Sequence, residues 1–189
     1  SIEGLGLAWD NLSHDDFWIR HAARVALENQ PIKRWTLPAL TESDPKRALT
    51  ALMALARVAD AKVPPQVVER LNDLPWEGLA LEWQLVALRT YQLAFIRMDA
   101  GTVYDRESTI NKIAKASGDF PETRMEVSRL MIFLNAKGMI PQLLNYVVDA
   151  KSQEERLSYL FHMRLIEDGW TPEQRRAYFA WLKKLSLIH

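Results

Sequence analysis

The chain of 189 residues contains no cysteine, only seven glycines, and no excess of charge of either sign, with 24 Lys and Arg against 24 Asp and Glu. The missing thiols exclude disulfides, thiolate catalysis, cysteine-ligated zinc, iron–sulfur clusters and covalent haem attachment within this segment. They leave the compartment open, since exported and cytosolic chains alike can dispense with cysteine. No apolar run approaches the eighteen or so residues that a membrane-spanning helix needs, and no basic-then-apolar leader opens the chain. Its first residue is Ser1, which fits an excised part of a longer protein as well as a trimmed terminus. The charge balance argues against nucleic acid, because phosphate affinity comes from surplus Lys and Arg. Nor does the neutral total hide a basic half: residues 1 to 60 carry seven Lys or Arg and eight Asp or Glu.

What is present is helical periodicity. Apolar residues recur at spacings of three and four and so fall on one helix face. Ile19, Ala22, Ala23, Ala26 and Leu27 make one stripe, and Ala48, Leu49, Leu52, Leu55 and Ala56 a second. From Leu79 to Ile96 apolar residues nearly encircle the helix, which predicts a central position. Val127, Leu130, Met131 and Leu134 form a fourth stripe. Leu157, Leu160 and Phe161 begin a fifth toward Leu165, and a closing helix carries Tyr178, Trp181, Leu182 and Leu185.

Boundary chemistry supports the partition. Asp44-Pro45 and Thr171-Pro172 each read as an N-cap followed by a first-turn proline, and Ser13 with Asp16 as a loose capping box. Gly118, Gly138 and Gly169 are placed where helices stop, while Pro64-Pro65, Pro75 and Pro121 interrupt longer runs. Shorter helices are predicted over Pro31–Leu40, Pro65–Asp73, Arg106–Ala116 and Met139–Asp149. Pro38 makes the first of these brief or kinked. Long helices starting near His14, Pro45, Leu79, Glu122 and Gln153 are spaced by 31, 34, 43 and 31 residues. Such irregularity excludes ankyrin repeats, and the tetratricopeptide pattern is absent. The fold expected is all-α, a superhelix of HEAT or armadillo type with about five helix pairs in a single domain, residues 1–189, with an irregular helical bundle as its rival.

Candidate functional residues are few. Arginines recur within the long helices, and a stacked array could align some into a docking face. Arg20, Arg24 and Arg57 are the candidates for partner binding, against the plainer alternative that arginines pair with neighbouring acids such as Asp16, Glu28, Glu126 and Glu155. Seven tryptophans are spread along the chain, as expected for residues that plug gaps between successive helix pairs. Trp76 and Trp170 fall at turns and are the candidates for exposed contact surface. His14 and His21 are too far apart along a helix, about 10 Å, to share one metal ion. His162 reads as a hydrogen-bonded interior or interface residue, His189 as a free terminus. No catalytic signature appears and no metal or cofactor site is expected.

Two stretches resemble a family. Phe17 through Glu28, followed by Pro31, Trp35 and then Asp44-Pro45 through Arg57, resembles the HEAT-like region of large haem-binding proteins of the planctomycete type, and Gly169 through Leu182 looks like the end of that region. Together they cover about a quarter of the chain. The resemblance implies a non-catalytic helical spacer between a sugar-dehydrogenase-like propeller and a cytochrome c module, in an exported or periplasmic oxidoreductase whose other domains are its partners. No Cys-x-x-Cys-His occurs here, so haem binding transfers to no residue of this chain. Two alternatives stand beside it: a HEAT-like DNA glycosylase or other nucleic-acid-binding protein, and a free-standing intracellular HEAT adaptor.

Overall fold

A computed structural model describes residues 2–99, 101–116 and 120–186. Gly118 and His189 lie outside the described residues. The fold class is all-α: eleven helices and two single turns of 3-10 helix, with no strand among the described residues. The helices are α1 (Ile2–Asp10), α2 (Phe17–Glu28), α3 (Thr36–Thr41), α4 (Pro45–Val58), α5 (Pro64–Asp73), α6 (Leu81–Arg97), α7 (Arg106–Ala114), α8 (Pro121–Phe133), α9 (Met139–Asp149), α10 (Gln153–Met163) and α11 (Pro172–Ser186). No described helix is long and apolar enough to cross a membrane. The packing divides the chain into two compact units, Ser1–Lys112 and Ile113–His189.

In the first unit α4 is the hub, packed against α2, α3, α5 and α6. Its start follows from local chemistry, since Asp44 accepts from the Arg47 amide at 2.7 Å and Pro45 occupies the first turn. Leu49, Leu52 and Leu55 are fully buried, each contributing on the order of 2 kcal/mol. The small side chains of Ala48, Ala51, Ala54 and Ala56 let neighbouring helices approach from several sides. Helices α2, α4 and α6 form one row, and α3 and α5 pack as neighbours in a second. The central position expected for the Leu79–Ile96 segment thus belongs more to α4. In α6 the face with Leu81, Leu85, Val86 and Leu93 is only partly covered, and Ile96 is 73% exposed. Helix α1 has no counterpart in the sequence reading, because Gly4 and Gly6 weaken its intrinsic propensity. Tertiary contact holds it: α1 packs on α2, and the Trp9 indole donates to Glu42 at 3.0 Å.

In the second unit α8 and α9 pack on α10, and α9 also on α11. Helix α8 ends at Asn135, which takes a left-handed φ of 46° while the amides of Asn135 and Ala136 donate to the carbonyls of Ile132 and Met131. These are the two bonds of a Schellman closure. Gly138, expected as the stop, instead immediately precedes α9 at φ 74°. At the start of α11, Thr171 and Gln174 satisfy each other's amides, with Gln174 N–H to Thr171 Oγ1 at 3.2 Å and Thr171 N–H to Gln174 Oε1 at 2.9 Å. That is a reciprocal capping box.

Candidate functional site

The candidate surface grows from the start of α2. Its N-cap is Asp16, not Ser13: the carboxylate accepts from the amides of Trp18 at 2.7 Å and Ile19 at 3.2 Å, while the Asp16 amide donates to His14 Nδ1 at 2.9 Å. His14 therefore precedes the helix and does not share a face with His21. This cap fixes where α2 begins, and packing on α1 and α4 selects its inward face. The buried face is Arg20, Ala23, Arg24 and Leu27, whereas Ile19, Ala22 and Ala26 of the predicted stripe are exposed. Two of the three arginines expected to meet a partner thus lie on the inward face, and both are used there.

Arg20 is 7% exposed. Its Nη1 donates to the main-chain carbonyls of His14 at 2.7 Å and Asp15 at 2.8 Å, and Nη2 to Glu82 of α6 at 2.8 Å. The guanidinium lies over Trp83, 4.6 Å from the ring centroid. A planar cation with a fixed fork of donors suits this mixture of carbonyls, carboxylate and aromatic face, which is why arginine rather than lysine can sit here buried. Arg24 pairs with Glu28 one turn on, and its Nη2 lies 3.3 Å from His21 Nδ1. Glu28 also accepts from Arg57 Nε of α4 at 2.9 Å. One carboxylate therefore pairs with a cation from each of two helices. The plainer expectation for Arg24 and Glu28 describes this geometry, as it does for Arg129 with Glu126 and Arg124 with Glu155.

Between α2, α4 and α6, Arg20 and Arg24 border a pocket of about 200 Å³ whose walls include Phe17, His21, Met53 and Trp83. Beside it Phe17 and Trp18 stand edge to face, 5.2 Å between centroids, and are 57% and 74% exposed. Their exposure escaped the sequence reading because they precede the apolar stripe. The available signal was the cap: with Asp16 as N-cap, Trp18 turns away from the 20, 23, 24, 27 face, while Phe17, in line with Arg20 and Arg24, is the first helical residue with no preceding turn to cover it.

Trp76 corrects the expectation of an exposed turn tryptophan. It is fully buried, its indole donating to the Leu71 carbonyl at 2.9 Å and its ring meeting Tyr91 at 6.0 Å. Pro75 and the short 3-10 turn Trp76–Gly78 direct the side chain inward. Around it a polar chain runs from Tyr91 Oη to Asn72 at 2.8 Å and from Asn72 to Thr109 at 3.0 Å. Burial, and behind it the carboxylates of Glu77 and Asp73, push the Tyr91 phenol well above its ordinary range. Trp170, in the second unit, is half-buried and donates to the Ile166 carbonyl at 2.8 Å. Trp35 and Trp83 are buried with Trp76, as expected for gap-plugging residues. His162 Nδ1 lies 2.6 Å from the Ser158 carbonyl, a satisfied position on its own helix.

Glu42 joins α1 to the start of α4. Burial opposes its ionisation, but hydrogen bonds from the Asp44 amide and the Trp9 indole, with Arg47 beside it, hold its carboxyl below the usual range. Among the described residues no three His, Cys, Asp or Glu side chains converge on a point where a metal ion could sit. The α2 side of the first unit thus offers apolar and aromatic surface on which Arg20, Arg24 and Arg57 each have a carboxylate partner. The class these features define is all-α, with Phe17 and Trp18 exposed on the first unit. Comparison with models of known families, with curated proteins and with solved structures finds no match to this chain.

Proposed function

We propose that the chain is a non-catalytic helical-repeat scaffold, a HEAT-like α-solenoid that docks other protein domains, as part of a larger exported haem-binding oxidoreductase. The observation that carries the docking role is the pairing on the α2 face: Arg20, Arg24 and Arg57 are engaged by Glu82 and Glu28 while Phe17 and Trp18 are exposed. A surface of this kind gains from burying aromatic area against another protein, and it has little free cationic charge with which to hold phosphates. The alternation of neighbours, α2 with α4 and α4 with α6, and α3 with α5, supports the repeat architecture. The exported setting and the haem-containing parent rest on the sequence resemblance of Phe17–Glu28 and Gly169–Leu182.

Two measurements test this reading. An antibody to the chain, used on exported and cytosolic fractions with a peroxidase stain for covalent haem, is expected to reveal an exported, haem-positive band far above 21.8 kDa. A haem-negative cytosolic band of that mass overturns the spacer assignment in favour of the free-standing adaptor. Titration with duplex DNA at low salt is expected to give no specific binding, whereas tight, steeply salt-dependent binding would establish the nucleic-acid alternative.

A further inference from the structure

The second unit contains a different kind of surface. Where α10 ends and α11 begins, a pocket of about 300 Å³ is lined by Trp170, Tyr178, Phe179 and Leu182, with Arg164 and Arg175 among its walls. The polar ends of the two amphipathic rings are turned into their own main chain, Trp170 Nε1 to the Ile166 carbonyl at 2.8 Å and Tyr178 Oη to the Leu160 carbonyl at 3.1 Å. What they leave for the pocket is aromatic carbon. Phe179 is 62% exposed and Leu182 36%, so the lining is accessible as well as apolar.

The two arginines differ from those of the α2 face. No described carboxylate lies within ion-pairing distance of Arg164 or Arg175. Glu173, the nearest acid on α11, is instead engaged by Arg176 at 2.8 Å. Arg164 is braced over the Phe161 ring, 3.7 Å from its centroid, which limits the rotamers it must give up on binding. In a chain with as many acids as bases, two unpaired guanidiniums beside an open apolar pocket form a charge pattern that a complementary ligand completes.

We propose that this pocket binds an acidic peptide segment of a partner protein, one large apolar side chain entering between Trp170 and Phe179 while flanking carboxylates pair with Arg164 and Arg175. Guanidinium forks match carboxylates bidentately, and an aromatic-walled cleft of this size accommodates a phenylalanine or leucine side chain. A nucleotide strand fits less well: Met163, Ile166 and Leu182 make the lining aliphatic as well as aromatic, and two cations supply little of the counterion release on which such binding depends. The inference uses the scaffold reading only in taking a protein as the partner; it names a site on the other unit.

The test is a hexapeptide array probed with the full chain, comparing a phenylalanine or leucine flanked by Asp and Glu, the same residues flanked by Lys, and serine flanked by Asp and Glu. Selective retention of the acidic apolar set is expected, with binding weakened by added salt. For the best peptide, measured by fluorescence anisotropy, Arg164→Glu and Arg175→Glu should each lower affinity at least tenfold. Arg176→Glu, outside the pocket, should stay within twofold. Circular dichroism of all three variants, whose substituted positions are solvent-exposed, checks that they fold. Equal retention of all sets, preference for the Lys-flanked set, or affinity untouched by both arginine variants overturns the proposal. So does concentration-dependent dimerisation lost in Arg175→Glu, which would assign the pocket to a second copy, or an oligonucleotide outcompeting the peptide. A nil array result alongside an exported, haem-positive band removes this site and leaves the scaffold reading standing.

Discussion

Glu28 of α2 accepts a hydrogen bond from Arg57 Nε of α4 at 2.9 Å while also pairing with Arg24 on its own helix, so a single carboxylate fastens the two helices. Its side chain and that of Arg24 are only 12% and 11% exposed, placing the interaction where water screens it weakly.

Glu28→Gln should therefore cost about 2 kcal/mol, since it leaves the buried Arg24 guanidinium without its counter-charge. Arg57→Ala should cost under about 1 kcal/mol, because Arg57 is about half exposed. Urea denaturation of both variants measures the difference, and equal effects would mean that Glu28 acts through packing instead of charge.

Arg20 is expected to tolerate no conservative replacement. Lysine cannot reach two main-chain carbonyls and Glu82 together, nor lie flat on Trp83. Arg20→Lys should lose about 2 kcal/mol, close to Arg20→Met, and both should alter the near-ultraviolet signal of Trp83. Full stability in Arg20→Lys would show that charge alone suffices there.

Trp76 should behave as core. Trp76→Ala is expected to cost about 3–5 kcal/mol through the cavity it leaves and the unpaired Leu71 carbonyl. Trp170→Ala, at a half-buried position, should cost far less while weakening peptide binding at the α10–α11 pocket. Thermal unfolding of the two variants side by side distinguishes an interior tryptophan from a contact tryptophan.

Stability should fall at both pH extremes for identifiable reasons. Glu42 titrates lower in the folded chain than in the unfolded one, so its contribution is full above about pH 4.3 and is lost as pH falls through the folded value. Glu42→Gln should flatten that acid limb. Tyr91 behaves in the opposite sense. Its phenol titrates higher when folded, so unfolding releases a proton above about pH 10 and stability declines from there upward. Tyr91→Phe, less stable at neutral pH for want of its bond to Asn72, should show a shallower alkaline decline. Urea midpoints across the pH range check both limbs.

Much of the helix partition was legible in the sequence because helix ends are local events. The starts at Pro45, Met139 and Gln153 coincide with those expected, and the Thr171 cap operates as its residues imply. Three neighbouring side chains suffice to satisfy an orphan amide, whatever the rest of the chain does. The exceptions are also local in origin but weaker in signal: Asn135 took the left-handed closure expected of glycine, and α1 forms despite its glycines.

Which face of a helix turns inward was less legible. Of the stripe expected in α10, Leu160 is buried but Leu157, Phe161 and Leu165 are exposed, while Glu155, Tyr159 and Met163 are buried. Apolar periodicity assumes that charge stays in water. It misleads where a carboxylate such as Glu155 is held by the Ser152 cap region, Tyr159 and Arg124, or a guanidinium such as that of Arg20 by carbonyls and an indole.

The sequence by itself determined that this chain is all-helical and that no cysteine chemistry occurs in it, because capping, periodicity and composition act over a few residues or none. Only the tertiary structure decided that Arg20, Arg24 and Trp76 belong to the interior, that Phe17 and Trp18 are presented outward, and that Arg164 and Arg175 have no acid beside them among the described residues. Those outcomes depend on partners such as Glu82, 62 residues from Arg20. A buried charge is tolerable only when folding brings such partners to it, and an unpaired one on the surface is evident only once every other pairing is known.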